Sequence, residues 1–300
     1  AGNYTYSGQF TLPAVVGIVK TGPNALTLSS STGCAGGVTA LGGILQADFG
    51  AGIPATTNVT LWGASLSSTG TLSAALGTAP GQINMVSGTA SGFSAVGVQL
   101  TVNLGGAGAS LSWGDSAFNP SALVLNDTGA NTNLTFVNGL SLNGATRTIN
   151  VNATSAGAGA TINGVIANGS GAAGLIKGGS GVLTLTAANT FTGGTTVNGG
   201  TLALAGGNDR IVSSGAITLN GATLDLGGGT QNMTSGSLTM NNGAVIQNGT
   251  IKYLNSSWGP GNVSAVTFGA GGGFCGSNRL LMYGGQTLTL ASGAGLSAFG

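Results

Sequence analysis

Apolar and polar residues alternate in many short segments of the chain. The segment Val182–Thr186 places Leu183 and Leu185 on one side of an extended backbone and its threonines on the other. The same alternation occurs at 25–28, 217–219, 222–226 and 287–290. A period of two residues is typical of half-buried β-strands. No window shows the spacing and caps of an amphipathic helix, so the pattern predicts an all-β protein with almost no α-helix.

A long internal repeat indicates how these short strands are arranged. Residues 20–45 and 177–202 are identical at eleven of twenty-six positions without a gap, 157 residues apart. Repeats of this kind build solenoids, in which coils stack about 4.8 Å apart and inward leucines form ladders. We therefore predict a single elongated β-solenoid over residues 1–300, with two diverged repeat units at about 1–160 and 161–300.

The second copy resembles a known repeat. Its sequence, KGGSGVLTLTAANTFTGGTTVNGGTLAL, looks like the autotransporter-associated β-strand repeat of bacterial autotransporter passengers and large surface proteins. The matching residues are Lys177, Gly179, Gly181, Leu183, Leu185, Asn189, Phe191, Gly193, Thr195, Val197, Gly200 and Leu202. The first copy departs from the pattern, with Thr32 for the asparagine, Cys34 for the aromatic residue and Ala40 for the β-branched residue. The resemblance implies an extracellular right-handed parallel β-helix with structural or adhesive roles.

The two copies together predict which side chains face the core of the coils. Alternation places the leucines of each copy on one face, and the resemblance adds an aromatic and a β-branched position. The predicted core residues of the repeat are Leu26, Leu28, Leu45, Leu183, Leu185, Phe191, Val197 and Leu202.

Composition argues against most kinds of catalysis. Only 4% of the residues are charged, the net charge is +1, and the chain has neither His nor Glu. Without His, no Ser-His-Asp or Cys-His arrangement can form. The acids closest in sequence, Asp209 and Asp225, are interpreted as solvated turn residues rather than as the carboxylate pair of a glycosidase. We therefore predict no enzyme activity and no cofactor, and the charge predicts no nucleic-acid partner.

Assembly is the main functional prediction. Uncapped solenoid ends expose strand edges, and the two chain ends are in phase to continue one another, which favours a filament of head-to-tail molecules. The candidate assembly strand consists of Tyr4, Thr5, Tyr6 and Phe10. The only cysteines, Cys34 and Cys275, are either buried thiols or a disulfide between neighbouring molecules. The protein is thus predicted to be a non-enzymatic extracellular structural subunit whose partner is itself.

The alternative is a passenger-like adhesin rod of a larger surface protein that binds host or glycan ligands. Aromatic residues such as Trp62 and Trp113 would form the contact if they are exposed in line, whereas the favoured interpretation is that they pack in the core or at the ends of the ladders. Ice binding would need a regular outward threonine ladder, and although Thr184 and Thr186 fit one, irregular coil lengths argue against a flat array. Either role places the protein outside the cell or at its surface. No apolar run is long enough to span a bilayer, and we expect no membrane span.

Overall fold

The computed structural model describes residues 2–8, 16–30, 33–34, 36–106, 108–235 and 237–253, and the backbone of four later strands at 265–268, 272–276, 287–290 and 295–298. Every regular element among these residues is a β-strand. The paired strands run parallel in stacked coils, so the predicted all-β parallel solenoid is confirmed. The handedness of the coils stays a prediction.

The chain divides into two compact units. Unit 1 comprises Ala1–Ser141 and Thr148–Gly164, and unit 2 comprises Leu142–Arg147 and Val165–Gly300. That the units continue one another as a single rod stays a prediction.

Unit 1 is built from short strands that pair with the strands one coil earlier and one coil later. In chain order they are β1 (Tyr4–Tyr6), β2 (Ile18–Lys20), β3 (Ala25–Leu28), β4 (Val38–Ala40), β5 (Gly43–Ala47), β6 (Val59–Leu61), β7 (Ala64–Ser67), β8 (Gly70–Leu76), β9 (Gln82–Met85), β10 (Ala90–Phe93), β11 (Leu100–Leu104), β12 (Ser110–Ser112), β13 (Ala122–Leu125), β14 (Leu134–Phe136), β15 (Gly139–Ser141), β16 (Arg147–Asn150) and β17 (Ala160–Ile162). One sheet has the order β1-β3-β5-β7-β10-β13-β16, and a second has the order β2-β4-β6-β9-β8-β11-β14-β17. Strands β12 and β15 form a third pair.

Like residues stack on like residues in the core of unit 1. Leu26, Leu45 and Leu66 occupy one row across β3, β5 and β7. Between the sheets, the rings of Phe93 and Phe136 lie 6.3 Å apart. Because consecutive residues of a strand face opposite sides, one leucine per two residues is enough to line the interior of every coil.

Unit 2 repeats this construction. Its strands are β18 (Ile166–Ala167), β19 (Leu175–Gly178), β20 (Val182–Leu185), β21 (Thr195–Val197), β22 (Thr201–Leu204), β23 (Ile217–Asn220), β24 (Thr223–Asp225), β25 (Thr230–Met233), β26 (Leu238–Asn241), β27 (Val245–Gln247), β28 (Gly249–Tyr253), β29 (Ala265–Phe268), β30 (Gly272–Gly276), β31 (Thr287–Leu290) and β32 (Gly295–Ala298). Three parallel sheets result, β19-β21-β23-β26, β20-β22-β24-β27-β29-β31 and β25-β28-β30-β32. Leu183, Leu202, Leu224 and Ile246 form one fully buried row.

The predicted core residues of the repeat mostly line these interiors. Those at most 3% exposed are Leu28, Leu45, Leu183, Leu185, Phe191, Val197 and Leu202. Leu26 is only half-buried, because its row ends one strand further on, at the exposed Tyr4. Cys34 and Ala40, which replace larger residues of the motif, are also fully buried. The degraded first copy therefore keeps the inward positions of the second and fills them with smaller side chains.

Candidate functional site

A buried lysine begins each copy of the repeat. Lys177 is fully buried at the end of β19, and its Nζ donates hydrogen bonds to Gly179 O (2.6 Å) and to Gly199 O one coil later (2.9 Å). Lys20 donates in the same way to Gly22 O (2.6 Å) and to Gly42 O. Burial lowers the pKa of Lys177 to about 8 and also lowers the pKa of Lys20. These ammonium groups join neighbouring coils, and both lysine side chains are buried.

The side chains of Asp48, Asp209 and Asp225 accept hydrogen bonds from neutral donors. Asp48 accepts hydrogen bonds from Ser68 Oγ and from the backbone N–H and hydroxyl of Thr69, each at 2.6 Å. These hydrogen bonds outweigh partial burial and hold the pKa of Asp48 below its usual value. Asp209 accepts a hydrogen bond from Asn232 Nδ2, and Asp225 accepts hydrogen bonds from Gln247 Nε2 and Asn248 Nδ2, all one coil later.

Among the residues whose side chains the structure describes, no three His, Cys, Asp or Glu side chains come together to hold a metal ion. Nor does any helix in the described part of the chain have the length and apolarity needed to cross a bilayer.

The two tryptophans singled out in the sequence have opposite environments. Trp62 is 50% exposed, directly after the inward-facing Leu61 of β6. Trp113 is fully buried. Its Nε1–H donates a hydrogen bond to Pro120 O (2.8 Å), and the centroid of its ring lies 5.6 Å from that of Phe118. Trp113 is therefore a core residue, as the favoured interpretation expected, and Trp62 is the exposed one of the pair. The inward direction of Trp113 follows from the period of two, because it lies two residues after the buried Leu111.

Trp62 belongs to an apolar row on three consecutive coils. Leu41 (43% exposed), Trp62 and the half-buried Val86 each directly follow a strand of the same sheet. Trp62 N–H donates to Ala40 O at 2.8 Å, and Val86 N–H donates to Leu61 O at 3.1 Å. The row is therefore held in register by the ladder of backbone hydrogen bonds.

Polar side chains border this row on the same side of the sheet. Thr39 and Thr60 are register partners on β4 and β6, and both are half-buried. Residues two apart in a strand face the same side, so Thr60 lies beside Trp62. We call Leu41, Trp62, Val86, Thr39 and Thr60 the Trp62 face. An exposed indole between aliphatic and hydroxyl groups can cover the apolar face of a sugar ring while hydroxyls accept or donate hydrogen bonds.

The predicted assembly strand is partly visible. Tyr4, Thr5 and Tyr6 form β1, which pairs with β3, and Tyr4 is 64% exposed. Phe10 lies outside the described residues.

Of the two cysteines, interpreted as either buried thiols or a disulfide between molecules, one is fully buried. Cys34 Sγ lies 3.7 Å from Thr57 Oγ1 in the core of unit 1, and Cys34 is 0% exposed. Cys275 lies on β30, and its side chain is outside the described part of the chain. The bridge between molecules stays a prediction, and it would require the Cys34 sulfur to leave the core.

Comparison with known proteins identifies the repeat. The family model described as passenger-associated-transport-repeat matches residues 18–47 and 175–204. These ranges contain the two copies found in the sequence, so that resemblance is confirmed. No match was found among curated proteins or among solved structures. Repeats of this family suggest a secreted or surface protein. Two segments of the chain therefore match the passenger-associated transport repeat and lie in β-solenoid coils, which is consistent with an autotransporter passenger-like β-helix.

Proposed function

We propose that the chain is a non-enzymatic, ligand-binding part of an extracellular passenger-like surface protein, and that a neutral glycan binds on the Trp62 face. The observation that supports this role most is the half-exposed indole of Trp62, fixed in a row with Leu41 and Val86 beside outward threonines. A net charge of +1 with 4% charged residues favours an uncharged ligand over a polyanion.

Glycan-array screening followed by titration calorimetry tests this proposal. Trp62→Ala removes the ring and should weaken binding about tenfold, because aromatic contacts commonly contribute about 1 kcal/mol beyond buried area. The matched control is Val98→Ala, a similarly exposed apolar side chain of unit 1, at 45% exposure. It should bind like the parent chain. Equal affinities for the parent chain and Trp62→Ala would refute the proposed site.

The extracellular location has its own test. In the producing cells, a protease added outside should cleave the chain at the cell surface or in the medium, while a cytoplasmic marker protein stays intact. Protection of the chain until the cells are lysed would contradict this location.

Head-to-tail assembly is a second candidate function. Tyr4 and Val19, which are 64% and 61% exposed, line one cleft of about 330 Å³ on unit 1. Exposed apolar side chains of this size favour contact with another chain. Deleting residues 1–10, or replacing Val19 by Asp, should turn filaments into monomers in electron micrographs and in light scattering. Filaments that persist in both variants would exclude this mechanism.

A further inference from the structure

One outward face of unit 2 carries two rows of uncharged polar side chains. Thr196, Thr218 and Thr239 are register partners on β21, β23 and β26. Two residues after each threonine in the chain lie Asn198, Asn220 and Asn241. We call these six residues the Thr–Asn track. All six are half-buried or exposed, and the track carries no charged side chain.

Hydrogen bonds between the asparagines fix the spacing of the track. Asn220 Nδ2 donates to Asn198 Oδ1, and Asn241 Nδ2 donates to Asn220 Oδ1, both at 2.8 Å. The threonines are held at the strand spacing of about 4.8 Å, and the two rows lie about 6.6 Å apart. The track therefore presents a repeated pattern of hydroxyl and amide groups, one of each per coil, along the stacking direction.

We propose that the Thr–Asn track binds an extended neutral polysaccharide chain that lies along the stacking direction and places about one sugar on each coil. This inference rests on the proposed glycan-binding function and adds a second site in the other unit.

The shape and charge of the track favour this ligand. Small residues border the two rows on one side, because the positions two before the threonines, which directly precede the strands, are Gly194, Ala216 and Ser237. A track about 6.6 Å across suits one polymer chain rather than the flat surface of an ice crystal. A second copy of the chain is disfavoured, because six short side chains cover far less than the roughly 800 Å² per partner of a stable interface. A polyanionic ligand is disfavoured, because none of the six side chains carries a positive charge.

Binding of β-1,4-linked gluco-oligosaccharides of increasing length tests the proposal. Affinity should rise with length until the oligosaccharide covers the three coils of the track, and then level off. The triple variant Thr196→Val, Thr218→Val, Thr239→Val removes three hydroxyls but keeps β-branched shape and strand preference. It should bind the long oligosaccharide at least about tenfold more weakly.

A matched control removes three hydroxyls from the other outward sheet face of unit 2. It is the triple variant Thr184→Val, Thr201→Val, Thr223→Val, whose positions are all half-buried on β20, β22 and β24. It should bind like the parent chain, and both triple variants should melt near the parent temperature. Equal affinities of the two triple variants for the oligosaccharide would overturn the proposal that the Thr–Asn track binds it.

The outcomes separate this inference from the proposed function. If Trp62→Ala loses binding and the track variant does not, the Trp62 proposal stands and the track falls. If only the track variant loses binding, the track stands and the Trp62 site falls. If no oligosaccharide binds and the protein instead inhibits ice recrystallisation, both proposals are wrong.

Discussion

Single buried polar side chains close the corners of the coils. At a turn between strands, backbone groups leave the parallel ladder and need other partners. Asn126 is fully buried, accepts from Ala95 N–H at 2.7 Å and donates to three carbonyls at 2.8 Å. In the repeat itself, Asn189 accepts from Ile166 N–H and donates to Arg210 O, each at 2.8 Å. Each of these amides joins different coils, so its loss would loosen more than one turn.

The buried ammonium of Lys177 predicts a pH dependence of stability. Its pKa is about 8 in the folded chain and near 10.5 when exposed. Between these values the unfolded chain binds more protons, so the free energy of unfolding should rise with pH from about 8 to 10.5. The rise is on the order of 3 kcal/mol, at about 1.36 kcal/mol per pKa unit. Denaturant unfolding at several pH values measures it.

Two variants isolate this contribution. Lys177→Met should remove most of the rise, because it leaves no titrating group at that corner. Lys252→Met replaces a half-buried lysine on β28 and should keep the rise. A parent chain whose stability falls over this pH range, or a Lys177→Met chain with the full rise, would contradict the assignment.

At the scale of a single element, one glycine of the motif allows adjacent coils to approach. A Cβ added at Gly193 would lie 2.4 Å from Ala173 C, and one at Gly36 in the first copy would lie 2.4 Å from Val16 C. Gly193→Ala should therefore lower the free energy of unfolding by about 1–3 kcal/mol or more, the usual effect of overpacking. Urea unfolding checks this. Gly171→Ala is the control, because its Cβ would meet only an atom 3.8 Å away, and it should be nearly neutral.

The asparagine row is a second element-scale feature with a measurable contribution. Asn220→Ala removes both bonds of the row, so the free energy of unfolding should fall by about 1–2 kcal/mol. The control Asn133→Ala changes a half-buried asparagine whose side chain makes no hydrogen bond within the described residues. Faster amide hydrogen exchange at β23 in Asn220→Ala alone would localise the effect. Equal stability of the two variants would show that the row contributes nothing.

For the whole molecule, alternation predicted strands well and surfaces less well. The leucines of 183–185 indicate their strand because the buried side needs an apolar residue at every second position. Trp62 and Trp113 are both followed by glycine, yet they face opposite ways. The difference lies in their spacing from a buried leucine. Trp62 follows Leu61 by one residue and so faces the opposite side, whereas Trp113 follows Leu111 by two and faces the same side.

The sequence could not indicate which outward side chains are buried under other parts of the chain. Ile44, Ser65 and Val124 face outward on their strands but are at most 5% exposed. A Cβ added at Gly129 would lie 2.9 Å from Ile44 Cδ1, so a loop more than eighty residues away crosses this face. Such a contact between distant segments leaves no periodic trace. Lys177 was similarly missed as an inward residue, although it lies two positions after the buried Leu175.

Coil length explains why a regular polar face was not expected. Side-chain hydrogen bonds between coils join residues up to 34 positions apart in unit 1, at Asn138 and Leu104. Along the Thr–Asn track they join residues 22 and 21 positions apart. The argument from irregular coil lengths therefore does not apply to this sheet of unit 2. Extra residues enter the turns, and the strands keep their register.

The scarcity of charge over the whole molecule predicts insensitivity to salt. With a net charge of +1 and 4% charged residues, little Coulomb energy is available for screening. Glycan affinity should change less than about twofold between 0.05 and 0.5 M NaCl, because neutral hydrogen bonds and aromatic contacts release no counterions. Calorimetric titration of one oligosaccharide across this salt range measures the effect. A polyanionic ligand that neutralised several charges would lose orders of magnitude in affinity over the same range. Such a loss would exclude a neutral glycan as the ligand, whichever of the two faces binds it.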